Sequence, residues 1–328
     1  MAISEFDIIA SYFNKPGLKP DNLQQQSIPL GIGDDCALIN PPQGEQLAVS
    51  MDVLVADVHF PISADASLIA QRALAVNLSD LAAMGAAPLA FTLGLTLPDV
   101  DESWLARFSE GLSLSAQKYC CPLIGGDMSK GPLSIAIQVH GTVVPEKVLR
   151  RSGANIGDKV YVSGVLGEAG LALGLLDNSL TGLSEVGKAI LSAAYYQPEP
   201  RLGLGYACGG IASAAIDISD GLLADLGHIA KQSQVSIALD AESIPLSSTV
   251  VKAVGVKRAL EYALSAGDDY ELAFTAAPKD AEALCLAAQQ AGVKISCIGT
   301  VGVGSGVSCI DNAGQKIVVP KTGYNHFN

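Results

Sequence analysis

The chain has 328 residues, nearly half of them apolar, which is more than one core usually serves and points to two domains. Subtracting 33 Asp and Glu from 20 Lys and Arg leaves a net charge of −13, and the densest basic pair is only Arg150–Arg151. That balance excludes a nucleic-acid surface or an anionic-membrane anchor, and any phosphate bound here needs metal ions between it and the protein.

In chain order, residues 3–13 read as an amphipathic helix with Phe6, Ile9 and Phe13 on one side. Residues 14–29 are polar and Pro-rich and read as a mobile loop. Gly31-Ile32-Gly33-Asp34-Asp35 turns into a short strand, Cys36–Ile39, and 47–55 is a second strand ending near Asp52. Residues 66–85 form a helix that places Ala73, Asn77, Asp80 and Met84 on one stripe, beside an apolar stripe of Leu74, Leu78 and Leu81. Pro88 stops it. Strand 90–97 follows, then a helix capped by Asp101 that buries Leu105, Phe108 and Leu112. Leu123–Ile124 feeds Gly125-Gly126-Asp127, and 133–144 is a long strand.

The Pro- and Gly-rich stretch 145–158 marks a joint, which divides the chain into residues 1–148 and 149–328. Beyond it come strand 159–163, helices 168–177 and 184–195, and strand 215–218. Ser219-Asp220-Gly221 opens helix 222–232. Strand 235–240, helix 248–263, strand 270–276, helix 278–291, strand 294–301 and a C-terminal hairpin complete an α+β half.

Seven cysteines, odd in number and without a CxxC pair, read as reduced, buried thiols. Residues 1–14 lack a signal-peptide pattern, and no stretch of about 18 residues is apolar enough to span a bilayer. The expectation is a soluble, cytoplasmic protein.

The aspartates carry the chemistry. Asp34, Asp35, Asp52, Asp80, Asp127, Asp217, Asp220, Asp268 and Asp269 sit at strand or helix edges among Gly, Ser, Ala and aliphatic residues. Singly, Gly-Asp-Asp and Gly-Gly-Asp are ordinary turn chemistry, and Ser219-Asp220-Gly221 is an acceptable helix cap. Together, carboxylates in apolar surroundings resist ionisation unless cations neutralise them. Oxygen ligation without His or Cys suits Mg²⁺, which bridges carboxylates and phosphates. The P-loop and the protein-kinase motifs are missing, so phosphate binding here is of another kind.

Six strings, Gly31–Leu38 (GIGDDCAL), Ala75–Met84 (AVNLSDLAAM), Gly125–Asp127 (GGD), Ile216–Gly221 (IDISDG), Asp269–Leu272 (DYEL) and Gly323–Phe327 (GYNHF), resemble the bacterial thiamine-monophosphate kinases in order and spacing along essentially the whole chain. That family belongs to the ATP-binding group that includes aminoimidazole ribonucleotide synthetase and selenophosphate synthetase. The resemblance implies an α/β (α+β type) fold of two domains, with the N-terminal sheet forming a homodimer interface. The N-terminal domain would bind ATP and Mg²⁺. By resemblance, Asp34, Asp52, Asp80, Asp127, Asp217 and Asp220 correspond to Mg²⁺ ligands. Gly125, Gly126, Asp127, Arg151 and Ser219 correspond to ATP contacts, and His59, Asp268 and Tyr324 to substrate contacts. The implied reaction is transfer of the ATP γ-phosphoryl group to thiamine monophosphate, giving thiamine diphosphate and ADP.

The chemistry is consistent from below. Two polyanions must approach, several Mg²⁺ ions screen them, and the nucleophile is already an ionised phosphate oxygen. No strong general base is required, so no residue is assigned to acid–base work. A strand-end role for His59 and a packing role for Tyr324 remain the plain alternatives. The chain departs from the family's usual pattern at Met51 and Met128, where Thr is common, and at Asp268, where Glu is common. Two rivals are kept: another ATP-dependent enzyme of the same group, and a Mg²⁺-nucleotide-binding regulator without activity.

Overall fold

The computed structural model describes residues 4–22, 24–319 and 323. It forms two units, Met1–Leu81 with Ala86–Pro145, and Ala82–Gly85 with Glu146–Asn328.

In the first unit, α1 (Glu5–Ile8) opens on a capping box between Ser4 and Asp7 and continues into a π-helical turn, Ile9–Phe13. A four-stranded sheet follows, built from β1 (Gln46–Val55), β2 (Ala87–Leu97), β3 (Leu123–Lys130) and β4 (Ser134–Val143) in the order β1-β4-β2-β3. All pairs are antiparallel except β2 with β3. Clean alternation along β4 sends Ile135, Ile137 and Val139 into the core and leaves Ala136, Gln138 and His140 on the opposite face. α2 (Ala66–Ala83) and α3 (Glu102–Lys118) complete the core with Ile69, Leu74, Leu78, Leu105, Phe108 and Leu112. Asp65 caps α2 through the N–H groups of Ser67 and Leu68 (2.9 and 3.3 Å), and Asp101 caps α3 through those of Ser103 and Trp104 (2.9 and 3.1 Å).

The second unit is a six-stranded sheet in the order β10-β7-β9-β5-β8-β6. Its strands are β5 (Lys159–Ser163), β6 (Ala214–Asp217), β7 (Ser236–Asp240), β8 (Leu272–Ala276), β9 (Ile295–Gly302) and β10 (Gly306–Ile310). The helices are α4 (Glu168–Leu176), α5 (Glu185–Tyr196), α6 (Leu202–Cys208), α7 (Leu222–Ser233), α8 (Ser248–Ser265, broken at Gly255) and α9 (Ala281–Gln290). The sheet is covered on both faces. Val160, Val162, Ile216 and Ala273 pack with Leu226, Ile229 and Leu264 on one side. Tyr161, Phe274 and Leu272 pack with Leu204 and Leu284 on the other. Burial on both faces holds for β5, β6 and β8 and explains their near-continuous apolar runs, whereas β7 alternates, with Ile237 and Leu239 buried and Ala238 and Asp240 exposed.

Several local expectations are corrected. Cys36–Ile39 is not a strand; only one bridge, Leu30 to Leu38, forms there. The described residues of segment 14–29 are tied down, because Leu18 and Ile28 are buried, Leu18 accepts from the Leu123 N–H (2.7 Å), and Gln24 donates to the Cys120 carbonyl (2.9 Å). Pro88 does not end α2, which stops at Ala83; it sits in β2 where the register with β4 shifts. The C-terminal hairpin does form after β9, with Ile310 bridged antiparallel to Lys316 and the Ile317 N–H donating to the Cys309 carbonyl (2.8 Å), but its first strand does not pair with β9. Instead β10 pairs in parallel with β7. Only Cys121, Cys208 and Cys309 are buried thiols; Cys36, Cys120, Cys285 and Cys297 are exposed. α6, seven residues with two glycines, carries no helical period in the sequence. Among the described residues, no helix is long and apolar enough to cross a membrane.

Candidate active site

In the first unit the acidic motifs fall on two sides of one sheet. Register places Asp52 in the row Asp52–Ile137–Leu93–Gly126, and Asp127 in the next row, Val53–Ala136–Gly94–Asp127. Successive rows face opposite ways. On the helix side, Asn77 of α2 accepts from the Asp52 N–H (2.9 Å) and donates to the Ala73 carbonyl (2.9 Å). The Ser50 hydroxyl donates to Asp80 (2.5 Å). The buried Asn77 is thus the clamp that holds β1 to α2 beside Asp80. Met51, 54% exposed, points to the other face, so a hydroxyl at that position would not face Asp80.

On the open side lies a hollow of about 700 Å³ whose wall includes Asp34, Asp35, Gly125, Gly126, Asp127 and His140. Asp34 and Asp127 are exposed there. Gly126 has φ +151, and a Cβ would stand 1.9 Å from the Leu93 carbonyl oxygen, so only glycine fits this strand beside β2. His140 was not foreseen. Burial pushes its imidazole below the usual range, and its Nδ1 has no hydrogen-bond partner among the described residues. His59 lies in the turn after β1, where its Nδ1 accepts from the Val55 N–H (3.0 Å); the neutral ring therefore carries its proton on Nε2.

In the second unit two loops are laced together. The Asp268 N–H donates to the Ser219 carbonyl and the Tyr270 N–H to that of Ile218 (2.8 Å each). Asp268 and Tyr270 hold positive φ of 62° and 49°, a conformation side chains adopt only where surroundings enforce it. Asp225, in the first turn of α7, accepts from the N–H groups of Ser219, Asp220 and Gly221 (3.1, 3.0 and 3.0 Å). Burial pushes its carboxyl up to about 7; Asp220 adds to the rise and the N–H groups oppose it. Burial also holds Asp269 well above the usual carboxylate range, opposed by its bond from the Gly167 N–H. Glu271 is buried and paired with the Arg201 guanidinium, whose Nε donates at 2.7 Å, and with the Ser163 hydroxyl.

The predicted aspartates therefore fall into two sets, Asp34, Asp52, Asp80 and Asp127 in the first unit, and Asp217 and Asp220 in the second. Asp217 is buried and Asp220 half-buried. Arg151 is exposed on a strap whose neighbour Arg150 accepts from the Ala215 N–H (2.9 Å), two residues before Asp217. Tyr324 and most of the Gly323–Phe327 string lie outside the described residues. Asp225, Arg201 and Glu271 were missed, although an acid one turn after Ser-Asp-Gly is a visible signal for the first. Among the described residues, no three His, Cys, Asp or Glu side chains gather at metal-binding spacing. Asp34 accepts from the Asp35 N–H (3.0 Å), Asp80 from the Ser50 hydroxyl (2.5 Å) and Asp127 from the Ser129 hydroxyl (3.2 Å). That chemistry fits a hard divalent cation of the kind held by one or two carboxylates and completed by phosphate oxygens.

The family descriptions "AIR synthase related protein, N-terminal domain" and "AIR synthase related protein, C-terminal domain" match residues 33–143 and 155–312. The chain is 43% identical to the thiamine-monophosphate kinase of Salmonella typhimurium over 327 residues, covering 100% of this chain and 99% of that one. The crystal structure of thiamine-monophosphate kinase from Stenotrophomonas maltophilia K279a superposes with a TM-score of 0.83 at 43% identity, covering 88% of this chain and 92% of that one. AaThiL complexed with AMPPCP and TMP superposes with a TM-score of 0.77 at 33% identity, covering 90% and 92%. With both domains matched and identity sustained along its whole length, the chain belongs to the thiamine-monophosphate kinase family.

Proposed function

We infer that the chain is an ATP-dependent kinase that transfers the γ-phosphoryl group of ATP to thiamine monophosphate, giving thiamine diphosphate and ADP. The observation that carries this is full-length similarity to the enzyme family, including a relative complexed with AMPPCP and TMP. AMPPCP has a methylene group where ATP has its β–γ bridging oxygen.

The residues take the following parts. Asp34, Asp52, Asp80, Asp127, Asp217 and Asp220 would hold Mg²⁺, which supplies charge neutralisation and alignment for in-line phosphoryl transfer. Gly125 and Gly126 offer backbone without side chains to the ATP phosphates, and Asp127, Arg151 and Ser219 are the further residues assigned to ATP. Ser50 and Asn77 hold Asp80 and β1 in place from the helix side. His59 presents an Nε2 proton to the substrate phosphate, Asp268 contacts the substrate, and Tyr324 offers an aromatic face to the cationic thiazolium. The acceptor phosphate is already ionised, so no side chain removes a proton.

The domain assignment is 1–148 for ATP, Mg²⁺ and dimerisation, and 149–328 for the α+β partner domain. Leu47, Val49, Met51 and Val53 form an apolar row on edge strand β1, each 44–54% exposed, which supports pairing with a second copy in a homodimer. The setting is cytoplasmic.

The test is formation of ADP and thiamine diphosphate from ATP and thiamine monophosphate, with Mg²⁺ and then with EDTA, on protein whose mass in solution is measured alongside. Equal, Mg²⁺-dependent amounts of both products from a dimer are expected. ATP binding without thiamine diphosphate would overturn the substrate, turnover in EDTA the metal, and a monomer at micromolar concentration the dimer.

A further inference from the structure

We propose that Asp225 is a positioning residue for phosphoryl transfer: it gathers the Ser219–Gly221 loop from beneath and so aims the Ser219 hydroxyl and the Asp220 carboxylate. The proposal rests on the assignment of Asp220 to metal and Ser219 to nucleotide.

A helix ordinarily takes its first acceptor from the residue just before it, where Ser, Thr, Asn or Asp serve. Here that residue is Gly221, which has no side chain to offer and adopts φ 124° and ψ 148°. A Cβ on it would lie 2.9–3.1 Å from the backbone of Ser265. The acceptor comes instead from inside α7, where one oxygen of Asp225 receives three successive N–H groups. Successive N–H groups curled about one point make an anion cradle. In this chain the cradle is already filled by the protein's own carboxylate.

Two carbonyls at the start of the loop are tied from the other side. The Ser219 and Ile218 carbonyls accept from the Asp268 and Tyr270 N–H groups. The loop's shape is therefore set before any ligand arrives. Asp225 is 2% exposed, so it acts through the loop and touches no ligand itself. A plain helix cap would be satisfied by a neutral acceptor. Here one oxygen takes three N–H groups at once, a geometry that fixes the loop rather than a single cap bond.

The experiment compares full-length wild type, Asp225→Asn and Asp220→Asn. It reads the Mg²⁺ concentration for half-maximal ADP formation, the KM for thiamine monophosphate, and amide hydrogen exchange of the peptide spanning 219–221. For Asp225→Asn the Mg²⁺ midpoint is expected to rise ~10–100-fold, as for other residues that orient metal ligands. KM for thiamine monophosphate should stay within about twofold, and the loop amides should exchange about tenfold faster or more. A folded Asp225→Asn with an unchanged Mg²⁺ midpoint overturns the proposal. If instead Asp220→Asn leaves that midpoint unchanged, the metal assignment fails, and loop exchange alone decides whether Asp225 sets the loop. Should Asp225→Asn not fold, slow exchange at 219–221 in the wild type supports the proposal and fast exchange overturns it.

Discussion

In the first unit Asp34 and Asp127 stand exposed on the wall of an open hollow, whereas in the second Asp217, Asp225 and Glu271 are buried. The exposed pair keeps its hydration and bears little desolvation penalty. The buried set is held by directed bonds, three N–H groups on Asp225 and a guanidinium on Glu271. The difference separates two ways of preparing a charged site. One leaves carboxylates ready to exchange water for a cation; the other fixes a backbone so that its ligands need not be reoriented.

Three substitutions test that contrast. The largest effect on the fold is expected from Arg201→Ala, which strands the buried Glu271 carboxylate. Loss of about 3 kcal/mol of stability follows from breaking a buried pair, read by urea unfolding. A loss below about 0.5 kcal/mol, the range of ordinary surface changes, would mean that the second unit is not held this way. Asp127→Asn should do the reverse: no change in unfolding midpoint, because the side chain is exposed, but a fall in kcat/KM on the order of 100-fold, or ~2.7 kcal/mol. Unaltered kinetics would remove Asp127 from the site.

The smallest effect concerns pH. The folded-state pKa of Asp269 is raised by burial, so its contribution to stability is full below the unfolded value of ~3.9 and is lost as pH rises toward the raised folded value. The stability of wild type relative to Asp269→Asn should therefore fall as pH climbs from 5 to 7, by at most ~1.4 kcal/mol per pH unit. A difference that is flat across this range would show an Asp269 that is already ionised in the folded protein.

The same contrast explains what could be read in advance. Asn77 and Asp80 share a stripe because helical period is local, and the Asp101 cap is written within a few residues, whereas Ser219-Asp220-Gly221 gives α7 no side-chain cap and the acceptor comes from Asp225. Arg201 and Glu271 are 70 positions apart, and no periodicity announces their pairing. The β7–β10 pair is likewise invisible locally: Ser236 meets Gly306 in parallel, while adjacency in the chain suggests a hairpin with β9. Asp52 and Asp127 look like members of one cluster until the register of four strands turns them to opposite faces.

One consequence lies in the order of the chain. The second unit takes Ala82–Gly85 from the end of α2, far ahead of its other residues. Gly205 sits so close to this piece that a Cβ would be 2.0 Å from the Ala82 oxygen, and the Leu149 N–H donates to Met84 (3.1 Å). A gene cut between residues 145 and 146 would thus yield a downstream fragment with a missing stave. During synthesis, those four residues leave the ribosome first and must wait for α6 to be made before they find their place.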